Sequence, residues 1–173
     1  MNDPEIRVNF ERLKSPHDTG PFTSSDAEMN TWLKTQALVA QYAGDLYTTV
    51  AVVPGSPVVV GYMAICRYQI LPVDHPPLVN APEPTVPVPG VLLSHLAVDV
   101  TMEGRGIGTA LLMLAMKQAA VMGRSEPWQF MMLDALNSGV VGFYARLGFL
   151  ELPHHPNRLY MSANDVETFV ATL

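Results

Sequence analysis

The chain has 173 residues, 49% of them hydrophobic and 15% charged, the proportions of a globular protein and not of a disordered one. Its formal net charge of −6 weighs against wide nonspecific contact with nucleic acid, which depends on clustered Lys and Arg. The single cysteine, Cys66, excludes an internal disulfide framework and zinc-ribbon spacing, and no apolar run approaches the ~18 residues of a membrane span.

The opening Met-Asn-Asp-Pro-Glu lacks a basic stretch followed by an apolar one, so a cytoplasmic protein is expected, folded as one domain over residues 1–173. Residues 6–10 read as a short strand, followed by the turn-rich segment SPHDTGPFTSSD. Ser24, Ser25 or Asp26 can cap a helix in which Met29, Trp32, Leu33, Gln36, Ala37 and Ala40 are mostly three or four apart, ending near Gly44. Residues 46–53, rich in Thr, Tyr and Val, a Pro-Gly-Ser-Pro turn and residues 58–70 predict a hairpin. From Pro72 to Pro89 seven of eighteen residues are proline, which excludes helix and central strand and predicts an extended loop, either a covering flap or a substrate-facing segment.

An apolar run over residues 91–100 then leads through a polar turn into Gly104, Arg105, Gly106, Ile107, Gly108 and Thr109. A helix follows, with Leu111, Leu114, Ala115, Gln118, Ala119 and Met122 on one side and Gly123 as its stop. Residues 128–133 suit a buried strand. Asn137 opens a helix through Val140, Val141, Tyr144 and Leu147 that Gly148 ends. Strands at residues 149–152 and 158–161 and a last helix capped by Ser162 or Asn164 complete the chain.

Strand, glycine loop and helix start place backbone N–H groups where a phosphate can bind. A dinucleotide fingerprint requires Gly or Ala at position 109, where Thr stands, and there is no G-x-x-x-x-G-K-[ST], so neither a doubly wound dinucleotide fold nor a nucleoside triphosphatase is expected. A tight turn without a ligand is the structural alternative. His154 and His155 are adjacent and flanked by Pro153 and Pro156, which predicts a solvent-exposed loop and no metal site. Cys66 reads as a buried small residue.

LAVD, a short turn and then E-G-R-G-I-G-T-A-L-L resembles the acetyl-CoA motif of the GNAT N-acetyltransferase superfamily, whose usual core is Q/R-x-x-G-x-G/A. Asn137 and then Phe143-Tyr144-Ala-Arg-Leu-Gly148-Phe149 is similar to its second block. His17-Asp18, Phe22, Met29-Asn30-Thr31-Trp32-Leu33, Ala37 and the proline-rich loop resemble the toxin-type members of toxin–antitoxin pairs. Two departures stand out: Glu103 where the family usually has Gln or Arg, and His95 where a basic residue often precedes LAVD.

The resemblance implies an α/β GNAT fold with a central, mostly antiparallel mixed sheet flanked by helices and a strand-loop-helix acetyl-CoA site. It implies acetyl-CoA as co-substrate without a metal, residues 104–109 on the pyrophosphate, and backbone of Leu96, Ala97 and Val98 along the pantetheine arm. Asn137 would contact that arm and Tyr144 would protonate the departing thiolate. On spacing alone, Asn137 reads as a helix cap and Tyr144 as a packing residue, and it is the resemblance that turns both toward the site. Candidate bases are Asp134 and His95. The implied acceptor is the α-amine of aminoacyl-tRNA, with an antitoxin protein and a homodimer as partners. The alternatives are an acetyltransferase for small-molecule amines or protein N-termini, and a non-catalytic CoA-binding module.

Overall fold

The computed structural model describes residues 6–78 and 81–173; the reading of the opening five residues, and of Val79 and Asn80 in the proline-rich loop, lies outside the described residues. The order is β1 (Asn9–Arg12), α1 (Ala27–Thr35), α2 (Ala37–Ala43), β2 (Tyr47–Val52), β3 (Val59–Ile70), β4 (Val88–Val98), α3 (Ile107–Gly123), β5 (Phe130–Asp134), α4 (Ser138–Ala145), β6 (Leu150–Glu151), β7 (Arg158–Ser162) and α5 (Ala163–Ala171). The strands form a seven-stranded sheet ordered β1-β2-β3-β4-β5-β7-β6. The β4–β5 pair is parallel, and β1–β2, β2–β3, β5–β7 and β6–β7 are antiparallel, giving the mixed, mostly antiparallel sheet expected. Among the described residues no helix is long and apolar enough to cross a membrane.

The chain divides into two compact units, Met1–Ile65 with His95–Ala115 and Cys66–Ser94 with Met116–Leu173. In the first, Phe22, Leu33, Ala37, Val50, Val59 and Tyr62 form a buried apolar cluster, each large side chain contributing about 1.5–3 kcal/mol. The first strand lies later than residues 6–10, at Asn9–Arg12, because its partners on β2 run from Val52 to Thr49. Asp26 is the cap of α1, accepting from Met29 N–H at 2.9 Å.

The single helix predicted up to Gly44 is two. Thr35 donates its hydroxyl to Thr31 C=O at 2.7 Å, a local bond that competes with the helix ladder, and Gln36 leaves helical geometry at φ −120°, ψ −33°. Gly44 ends α2 in the left-handed region. Gln41, buried on α2, donates to Leu13 C=O at 2.5 Å and accepts from Thr48 N–H at 3.1 Å, satisfying both ends of a carboxamide that burial would otherwise penalise. On β3, a Cβ at Gly61 would stand 3.1 Å from Ile107 and 3.2 Å from Leu111, so the glycine lets α3 pack against the strand.

In the second unit, Ile70, Val88, Phe130, Met132 and Leu152 cluster with Tyr68, Leu92 and Tyr160. Pro89 corrects the expectation that the proline-rich segment holds no part of a central strand, for β4 begins at Val88. The missing N–H is tolerated at this second position of the strand, and the Pro89 carbonyl still accepts from Gln129 N–H at 2.8 Å. The strand expected from residue 128 begins at Phe130, because the Trp128 indole lies against Gly123, where any Cβ would collide with it. Ser162 caps α5, accepting from Asp165 N–H at 3.1 Å.

Candidate active site

In the first unit, the end of β4 carries Leu96, Ala97 and Val98, of which Ala97 is buried and its neighbours are half-buried. Asp99 fixes where the strand stops. Its carboxylate accepts from Thr101 N–H (2.9 Å), Thr101 O–H (2.6 Å) and Thr23 N–H (2.9 Å), while its own N–H donates to Val60 C=O (2.9 Å). Burial pushes the carboxyl group up, but the bonds from Thr101 and Thr23 outweigh it and hold it below the usual range. The aspartate of LAVD is therefore a structural latch.

Beyond a short 3-10 turn, Gly104 and Gly106 take φ of 74° and 79°, the left-handed region that costs an L-residue about 1–2 kcal/mol. A Cβ at either would meet nothing within 4 Å, so the loop lies open above both glycines. The first bond of α3 runs from Ala110 N–H to Gly106 C=O (3.0 Å), which puts the N–H groups of Ile107, Gly108 and Thr109 ahead of the helical ladder. Arg105 and Glu103 are exposed. Loop geometry, open space and helix start fit an anionic diphosphate.

One residue before Leu96, the His95 ring stacks on Trp32 of α1 with centroids 3.6 Å apart and planes 15° from parallel. Tyr62 lies 5.9 Å from the same indole and donates its hydroxyl to Met29 C=O at 2.8 Å. Burial pushes His95 down to about 4, so the ring is neutral at physiological pH.

In the second unit, α4 carries the other expected site residues. Asn137 is its cap, with the carboxamide oxygen accepting from Gly139 N–H at 2.9 Å and leaving the NH₂ group to donate outward. A Cβ at Gly139 would crowd that oxygen at 2.9 Å. Tyr144, two turns on, is 8% exposed, with Phe143 at 4.9 Å and Phe149 at 6.2 Å edge-on to its ring. Burial pushes its hydroxyl up to about 12.

Of the two candidate bases, Asp134 at the end of β5 is committed to Arg158, which donates from Nε at 2.7 Å and Nη2 at 3.0 Å. His154 is exposed as expected, but His155 is half-buried and lies 3.4 Å from Asp74, a correction that follows from the left-handed turn at His154 and Asn157. Arg158 also reaches Asp74 at 3.2 Å. Cys66 is half-buried, its thiol pushed up by burial. Among the described residues no group of His, Cys, Asp and Glu could hold a metal ion.

The residues that sequence reasoning passed over are Asp74 and Arg158, joined only through the fold. The opening motif is structural too: the His17 ring accepts from Lys14 N–H (3.1 Å) and meets Glu11 at 3.1 Å, and Asn30 accepts from Ser24 N–H and O–H, each at 2.7 Å.

Residues 13–149 match the family described as Acetyltransferase (GNAT) family. The chain belongs to the GNAT acetyltransferase family. This GNAT chain is 28% identical over 159 residues to the tRNA-acetylating toxin of Mycobacterium tuberculosis, covering 92% of itself and 94% of that protein. Its fold matches AtaT complexed with acetyl-methionyl-tRNAfMet (TM-score 0.82, 22% identity, 94% of this chain and 98% of that one). It also matches a mutant AtaT toxin bound to the C-terminus of the antitoxin AtaR and acetyl-CoA (TM-score 0.78, 21% identity, 95% and 99%). At these identities the structural likeness shows the fold, a GNAT acetyltransferase fold.

Proposed function

We propose that the chain transfers acetyl from acetyl-CoA to the α-amine of aminoacyl-tRNA, as the cytoplasmic toxin of a toxin–antitoxin pair. The observation that carries this reading is the near end-to-end similarity to a tRNA-acetylating toxin. Residues 1–173 are read as one GNAT domain, working as a homodimer and restrained by an antitoxin protein.

Acetyl-CoA supplies the acetyl thioester. Backbone N–H groups of Gly104, Arg105, Gly106, Ile107, Gly108 and Thr109 hold the pyrophosphate, helped by the partial positive charge at the start of α3. Backbone groups of Leu96, Ala97 and Val98 pair with the pantetheine arm, and one N–H polarises the thioester carbonyl. Asn137 donates its NH₂ to the arm while its oxygen caps α4. The Tyr144 hydroxyl donates a hydrogen bond to the departing sulfur and stabilises the charge that develops there.

Base chemistry favours this acceptor. With Asp134 held by Arg158 and His95 pushed down to about 4, neither serves as a base near neutrality. An α-amine, of pKa ~7.7–8.0, is roughly 10–30% free base near neutral pH, whereas a lysine amine at ~10.4 is about 0.1% or less. The net charge of −6 favours, as second reading, a small amine or a protein N-terminus.

The test is inducible expression in a bacterium, with radiolabelled acetyl followed onto charged tRNA. Growth arrest and labelled tRNA, both abolished by Tyr144→Phe, are expected. Thiol release from acetyl-CoA with other amines but no label on tRNA moves the assignment to the second reading. CoA binding without thiol release across a broad amine panel makes the chain a non-catalytic module.

A further inference from the structure

Arg158 opens β7 directly opposite Asp134, the last residue of β5, and its guanidinium grips both oxygens of that carboxylate at 2.7 and 3.0 Å. A two-point Arg–carboxylate fork fixes direction as well as distance. The next residue is fixed by the same turn: Ala135 N–H donates to Asn157 C=O at 2.8 Å. The turn is built for this. His154 and Asn157 both take left-handed φ (64° and 65°), and the chain closes on itself through His155 N–H to Leu152 C=O (3.2 Å) and Leu152 N–H to Arg158 C=O (2.8 Å). Two consecutive residues, Asp134 and Ala135, are thus bracketed immediately before Asn137.

Asn137 is exposed, and its oxygen is spent on the cap, so the direction of its NH₂ follows from the backbone path between Asp134 and Gly139. We propose that Arg158 is a positioning residue for acetyl-CoA binding, acting through Asp134 to hold the β5–α4 junction from which Asn137 donates to the cofactor arm. This rests on the assignment of Asn137 given above. The other arm of the guanidinium, toward buried Asp74 at 3.2 Å, anchors the start of the proline-rich loop and has no part in the bracket.

The test measures acetyl-CoA affinity by calorimetry on the full chain, with melting temperature and thiol-release kinetics alongside. Asn137→Asp keeps a capping oxygen and removes the NH₂ donor; it is expected to weaken binding about tenfold. Arg158→Gln and Asp134→Asn are each expected to weaken binding about tenfold with kcat at saturation within about twofold, and the double variant to be no weaker than either single one. Asp74→Asn, which loosens the other arm and the contact to His155 but leaves the Asp134 fork and the Ala135–Asn157 backbone bond in place, is expected to leave acetyl-CoA affinity within about twofold. If Arg158→Gln does not fold, the exposed Asp134→Asn carries the test. Binding unchanged in Asn137→Asp overturns both the site assignment and the proposal. Binding weakened in Asn137→Asp but unchanged in Asp134→Asn overturns the proposal alone, as does an equal loss in Asp74→Asn.

Discussion

Replacing Tyr144 by Phe removes one hydroxyl and little else. The ring keeps its edge-on neighbours Phe143 and Phe149, and no hydrogen bond of the described residues ends on the hydroxyl, so the melting temperature should not fall. The magnitude follows from the acidity. A phenol pushed up to about 12 facing a thiol of ordinary pKa ~8.5 makes full proton transfer uphill by about 5 kcal/mol, so the hydroxyl acts chiefly as a hydrogen-bond donor to developing sulfur charge. One such bond to a charged partner contributes about 1.5–3 kcal/mol, which corresponds to a loss of roughly 10- to 200-fold in kcat. Thiol release at saturating acetyl-CoA and acceptor measures it. Between pH 6 and 9, the wild-type profile should show no basic limb from this tyrosine, because a group near 12 stays protonated throughout. Retention of kcat within about twofold in Tyr144→Phe would refute the assignment of the hydroxyl to the leaving sulfur.

Gly106→Ala forces an L-residue to φ 79° and places a methyl in the open space of the cradle, so acetyl-CoA affinity should fall about tenfold or more by calorimetry, with stability reduced by about 1–2 kcal/mol. Asp99→Ala strips acceptors from Thr23 and Thr101 and should cost about 3 kcal/mol in urea denaturation. For His95 the folded-state pKa, about 4, lies below the unfolded value, so its contribution is intact above pH ~6.5 and is lost as pH falls from there toward 4. Asp99, held below its ordinary range, contributes above that range and is lost only at more acid pH. His95→Gln should flatten the upper part of the acid-unfolding curve and leave the lower part; an unchanged curve would refute the burial argument.

What could be read along the chain was local. Caps at Asp26, Asn137 and Ser162 were legible because each bonds an N–H two or three residues away, and Gly44, Gly104 and Gly148 mark left-handed turns that the sequence announces. The pause at Gln36 was not, because a hydrophobic period of three or four runs through it unbroken and only the Thr35 hydroxyl disturbs the ladder. Pro89 departs from expectation for a related reason: exclusion from strands is a statement about a missing N–H, and at this position the carbonyl makes the bond. The site divides the same way. Gly104, Gly106, Asn137 and Tyr144 enter the proposed site through the resemblance of their motifs, whereas the commitment of Asp134 to Arg158, which weighs against it as a base, joins residues 24 apart in sequence.

Charge sets the sharpest constraint on an RNA acceptor. The chain carries ten Lys and Arg against sixteen Asp and Glu. Among the described residues, Lys14, Arg67 and Arg158 are held in ion pairs with carboxylates. On the reading proposed above, so acidic a composition predicts that recognition concentrates at the aminoacyl end with about two or three phosphates neutralised, and log affinity should then fall against log salt with a slope of about −2. From 50 to 200 mM salt, KM for aminoacyl-tRNA should rise about 10- to 50-fold, while KM for acetyl-CoA, held by backbone groups, moves far less. A rise of about 10³-fold or more would mean six or more phosphate contacts, and the argument from composition would fail.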